Sequence, residues 1–123
     1  VIRARWAAWR AGREARVERE REARRRWAER LARERGAEIE AVVAAWRAEV
    51  SGLDPRLRDL VITVTAGDML HVEFELGEEW FDAHAEGGLD SYAFADGTGH
   101  FEDSVLREDV PAHVVGLFAA VLP

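Results

Sequence analysis

The chain has no cysteine, so it can form no disulfide, thiolate metal site or thiol nucleophile. It also has no lysine, asparagine or glutamine; all 17 basic side chains are arginine, a bias expected of a GC-rich bacterial genome. Proline occurs three times, methionine and tyrosine once each, and serine only at Ser51, Ser91 and Ser104, none of them inside a GxSxG elbow. No apolar run approaches the roughly 18 to 20 residues of a membrane span. Arg3, Arg5 and Arg10 interrupt any signal-peptide core at the N-terminus, so a cytoplasmic protein is expected. The first residue is Val1, consistent either with a literally translated GTG start or with a fragment boundary.

What the chain does have is a division of charge. Residues 1–50 carry 14 Arg against 9 Glu, net +5, whereas residues 51–123 carry 3 Arg against 15 acids, net −12. At 123 residues this is one small domain plus an extension. The division predicted is a helical arm over 1–36 and a small α+β domain over 37–123.

Residues 2–35 contain no proline and one internal glycine, Gly12, among residues that mostly favour helix. On a helical wheel Ile2, Trp6, Trp9, Val17, Trp27, Leu31, Val42 and Trp46 fall near one line, a thin stripe that sustains no heptad. Glu20 with Arg24, Glu22 with Arg26 and Glu29 with Arg33 stand at i, i+4 in the favourable order, each worth about 0.2–0.5 kcal/mol. A rod of this length spans about 50 Å and outruns a domain of this size. After a stop or kink at Gly36, apolar residues at Ile39, Val42, Val43, Trp46 and Val50 predict a core helix, which Ser51, Gly52, Asp54 and Pro55 end.

The run Leu60 to Leu76 alternates with period two about a turn at Ala66, Gly67 and Asp68, the signature of a β-hairpin. Leu60, Ile62, Val64, Leu70, Val72, Phe74 and Leu76 belong to its buried face. Val61, Thr63, Thr65, His71, Glu73 and Glu75 belong to the outer one. Shorter strands are expected around Trp80–Ala85, Ser91–Ala95 and His100–Leu106, separated by Gly87-Gly88 and by Asp96, Gly97, Thr98 and Gly99. A C-terminal helix follows, with Asp109 or Val110 as N-cap, Pro111 in its first turn and apolar residues on both sides. The expected fold is α+β: a long N-terminal helical arm, a core helix, an antiparallel four- to five-stranded β-meander, and a C-terminal helix packed on the sheet.

No motif assigns chemistry. His71, His84, His100 and His113 lie near carboxylates without a spacing that would converge metal ligands. The glycines of Asp96 to His100 precede a strand rather than the helix a phosphate loop needs. The expectation is therefore a non-enzymatic protein with no catalytic residues, metal or cofactor. Its partner is a protein or a second copy of itself, contacted through Trp6, Trp9, Trp27 and Leu31 on the arm and through His71, Glu73 and Glu75 on the acidic sheet face. In size and charge the chain is similar to small acidic bacterial immunity or antitoxin proteins, which cap basic toxins. The alternative reading is nucleic-acid association through Arg24, Arg25 and Arg26 on an arm of net +7 over residues 1–35, with no membrane partner. A third is a metal-dependent enzyme using the histidines.

Overall fold

A computed structural model describes residues 2–95 and 101–123, with side chains from 105 onward in the second stretch. Helix α1 (Ile2–Glu34) and helix α2 (Gly36–Leu53) are followed by strands β1 (Val61–Ala66), β2 (Leu70–Leu76), β3 (Glu79–Ala85), β4 (Ser91–Ala95) and β5 (Phe101–Leu106), then helix α3 (Val110–Ala119). The strands form one antiparallel meander in chain order. The α+β expectation holds in each of its elements. His100 and the turn expected over Asp96–Gly99 lie outside the described residues.

Gly12 does not interrupt α1, because one glycine costs about 1 kcal/mol and its neighbours are strong helix formers. The direction changes at Arg35 (φ −117°, ψ 24°), beside the expected Gly36. Helical hydrogen bonds still flank the joint, Arg35 N–H donating to the Leu31 carbonyl and Ile39 N–H to that of Arg35, both at 2.9 Å. The Arg35 guanidinium grips Glu38 as a fork, with bonds of 2.7 and 2.6 Å, and holds the Glu38 carboxyl below the usual range. The joint is therefore a one-residue break between two helices, bridged by an exposed ion pair.

Helix α2 runs through Ser51 and Gly52 to Leu53, one turn further than expected. The stop belongs to Pro55, which forces Asp54 into extended backbone (φ −145°, ψ 103°); the Asp54 side chain then accepts from Arg56 N–H at 3.0 Å. At the other end of the sheet, a short 3-10 turn over Arg107–Asp109 feeds straight into α3. Asp109 occupies the N-cap position but makes no side-chain capping bond, since the preceding turn already holds it in helical backbone (φ −94°, ψ −10°).

The hairpin register pairs Ile62 with Phe74 and Val64 with Val72, and the next strand sets Phe81 beside Phe74 and Ala83 beside Val72. The two-residue link at Gly77-Glu78 needs left-handed backbone at Gly77 (φ 62°), which a residue lacking Cβ adopts without strain. All of these apolar side chains project to one face, where α2 and α3 cover them side by side. Trp46 stands edge-on to Tyr92 at 5.1 Å and 6.1 Å from Phe74, while Phe74 stacks on Phe94 at 5.7 Å. Phe118 of α3 meets Phe81 edge-on at 5.0 Å. The two polar tips in this cluster are satisfied: Trp46 Nε1–H donates to the Arg107 carbonyl at 2.9 Å, and the Tyr92 hydroxyl to that of Leu89 at 3.0 Å. Helix α3 thus lies beside α2 on the sheet, burying Val110, Val114 and Phe118, while Ala112, Gly116 and Ala119 on its other side stay exposed.

Candidate functional site

Two surfaces are left over once this core is built. The first is the outer half of α1. Packing on the body begins near the base of the helix, where Ala28 is fully buried and Leu31 and Ala32 touch the core cluster. Trp27 is half-buried beside Arg24, over a shallow cleft lined by Asp68, Met69, His84 and Gly87. Residues 2–21 are exposed throughout, and Trp6 and Trp9 retain 58 % and 59 % of their surface in solvent. Neither tryptophan folds back on its own domain. Of the four arm residues expected to make contacts, two lie free at the tip and two, Trp27 and Leu31, are partly committed to the body.

The tip itself is ordered by local charge. The Arg10 guanidinium lies over the Trp6 ring at 5.3 Å, and that of Arg13 over the Trp9 ring at 5.6 Å. Further along, Glu14 pairs with Arg10, Glu18 with Arg21, and Glu22 with both Arg25 and Arg26, at 3.3–3.7 Å. Of the three intrahelical pairs anticipated above, Glu22–Arg26 is the one that closes within 4 Å. The Arg24–Arg26 run is accordingly not a bare phosphate-binding patch: two of its members share Glu22, and Arg24 contributes its charge at Asp68.

The second surface is the outer face of the sheet, opposite α2 and α3. Strand pairing arranges it in three rows: Val61, Glu75, Trp80; Thr63, Glu73, Asp82; and Thr65, His71, His84. None of these nine residues is Arg and three are acids, so the face is negative. His71, Glu73 and Glu75, expected together, do share it. His71 bridges the face to the β1–β2 turn, with Nε2 at 3.2 Å from Asp68 and Nδ1 at 3.8 Å from Asp82. The His71 bond is the main reason that the Asp68 carboxyl sits below its ordinary range, the Arg24 charge adding to it.

Trp80 is the member of this face that the sequence reading did not single out. It is 60 % exposed, and Val61, in the same row on the far side of Glu75, is 53 % exposed. The signal was present in the alternation: Phe81, Ala83 and Ala85 point inward, so Trp80 must point outward. The His71 and His84 rings stand 6.5 Å apart, but no group of three or more His, Cys, Asp or Glu side chains among the described residues is arranged to hold a metal ion. Among the same residues, no helix is long and apolar enough to cross a membrane. Compared with known proteins, the chain matches no family model, no curated protein and no solved structure.

Proposed function

We propose that this is a non-enzymatic binding protein that self-associates through its helical arm, with the acidic outer face of the sheet as its second contact surface. The observation that carries this reading is the tip of α1, where Ile2, Trp6 and Trp9 stand exposed on one side of a helix that has left its own body. Large aromatic side chains are strongly favoured at the desolvated centres of interfaces, and a cluster of three large apolar residues on an isolated helix is an unusual thing to leave in water. The same reading makes the protein an oligomer, and its all-arginine basic complement is in keeping with a GC-rich bacterial source. A basic protein partner, as in the immunity-like plan, is the alternative occupant of the acidic face.

The test is the double substitution of Trp6 and Trp9 by alanine. An interface anchor of this kind typically carries about 2 kcal/mol or more, so the dissociation constant for self-association should rise about 30-fold or more. Stability of the monomer should change by no more than about 0.5 kcal/mol, because neither ring touches the core. Sedimentation velocity over a concentration series reads the first effect and urea unfolding the second. A double variant whose mass follows the wild type at every concentration would refute the assignment.

A further inference from the structure

The two exposed surfaces of this chain are complementary to each other. Residues 2–13 carry four arginines and no acid, arranged about Ile2, Trp6 and Trp9. The outer face of β1–β3 carries Glu73, Glu75 and Asp82 and no arginine, with Trp80 and Val61 exposed on either side of Glu75. A basic, tryptophan-bearing helix and an acidic sheet with its own exposed tryptophan therefore occur in one polypeptide. They do not meet within one molecule, since Trp6 and Trp9 lie in solvent.

Pairing arm with arm is the obvious competitor, and charge opposes it. Two arms side by side in parallel would set four arginines against four. In antiparallel array the tip would face the stretch from Arg21 to Arg30, where five arginines outnumber two glutamates, Glu22 and Glu29. Like charges at a desolvated interface disfavour both arrangements. The stripe between Arg10 and Arg26 has only Val17 as a large apolar member, so little burial would offset that repulsion.

Dimensions agree with the sheet as the acceptor. Twelve helical residues span about 18 Å, and the six and seven residues of β1 and β2 run about 20 Å and 23 Å. Three strands spaced at about 4.8 Å present a width of roughly 10 Å, the diameter of a helix. On a wheel Arg13 falls in line with Trp6 and Trp9, and Arg5 flanks them, so cations and rings face the same way.

We infer that the arm tip of one copy, Ile2 to Arg13, lies across the outer face of β1–β3 of a second copy, with Trp6 and Trp9 against Val61 and Trp80 and the arginines against Glu73, Glu75 and Asp82. The inference rests on the self-association proposed above and names its geometry. If two copies exchange arms reciprocally, both surfaces of both copies are used and the assembly closes as a twofold dimer.

Charge exchange between the surfaces tests it. One variant carries Glu73→Arg and Glu75→Arg on the sheet; the other carries Arg5→Glu and Arg13→Glu on the arm. All four positions are exposed, so at a dilution where the wild type is monomeric each variant should retain the wild-type unfolding midpoint. By sedimentation velocity at low salt, each variant alone should associate at least tenfold more weakly than the wild type. An equimolar mixture should recover the wild-type mass, because the intact basic arm then meets the intact acidic sheet, and the carboxylates introduced at positions 5 and 13 meet the arginines introduced at 73 and 75. A sheet variant that still self-associates like the wild type would overturn the arm-on-sheet geometry while leaving self-association standing. A wild-type protein that is monomeric throughout, or that instead binds anionic lipid vesicles through Trp6 and Trp9, would overturn self-association itself and this inference with it.

Discussion

Phe74→Ala should cost about 3–5 kcal/mol of stability, the usual range for removing a phenyl ring from a core that cannot collapse around the void. Phe74 is fully buried in the central part of β2, flanked by Ile62 and Phe81 on the adjoining strands. Its ring also contacts Phe94 and Trp46, which themselves belong to β4 and α2. The cavity would thus open where the sheet and the first core helix meet, and neither layer can close it without disturbing its own packing. One residue earlier, Glu73 is exposed on the opposite face, and Glu73→Ala should change stability by no more than about 0.5 kcal/mol. Urea unfolding of the two variants checks both values. Equal costs, or costs in the reverse order, would contradict the placement of the two faces.

The second large effect is alkaline. Tyr92 is the single tyrosine, and burial beside Trp46 pushes its hydroxyl up to about 12 from the ordinary value of 10.0. Desolvation is the main cause, because a phenolate in this cluster would lose its water. Below about pH 10 the hydroxyl is protonated in both folded and unfolded chains and contributes no pH dependence. Above it the unfolded chain releases the proton and the folded chain does not, so stability falls as pH rises from about 10 to about 12. Two pH units correspond to about 2.7 kcal/mol at most. Since no other tyrosine interferes, phenolate absorbance follows the group directly. Phenolate should appear in step with unfolding near pH 12, and Tyr92→Phe should flatten the decline in stability between pH 10 and 12. Free titration of the hydroxyl near pH 10 in the folded protein would contradict this account.

The legible parts of the fold were those in which large apolar residues keep a strict period. The β1–β2 hairpin alternates without an exception from Leu70 to Leu76, and from Leu60 to Val64 with Val61 alone as an apolar residue on the outer face, so its faces follow directly. Helix α2 repeats at i, i+3, i+4 and i+7, and its stripe is the one that meets the sheet. What was not legible is the way the base of α1 joins the body. Its buried contact is Ala28, with Ala32 beside Leu31. Alanine is nearly neutral in a hydrophobic pattern, yet its small size is what permits close approach of a helix to its neighbours. The end of α2 was misplaced for a related reason: Ser51 and Gly52 are weak helix formers, but the stop is enforced by Pro55 acting on the residue before it.

The candidate surfaces were partly legible. Trp6 and Trp9 could be singled out as contact residues because they sit at the tip of a helix too long for its own body to cover. Whether the helix would turn back at Gly12 or Gly36 is a tertiary matter, decided by the break at Arg35 and by continuous helix through Gly12. Trp80 was obscured because β3 carries an aromatic residue on each face, Trp80 on one and Phe81 on the other, and the alternation tells inside from outside only once Phe81 is seen paired with buried Phe74.

The central claim is that the exposed part of α1 serves association and not folding. Sedimentation velocity and urea unfolding of the full chain beside a chain lacking residues 1–22 test it most directly, since that cut spares Trp27, Ala28, Leu31 and Ala32. The full chain should show a mass that rises with concentration across the micromolar range. The shortened chain should stay monomeric and unfold cooperatively, within about 0.5 kcal/mol of the full chain's monomer. A full chain that remains monomeric at every concentration, or a shortened chain that associates as strongly as the full one, would contradict it.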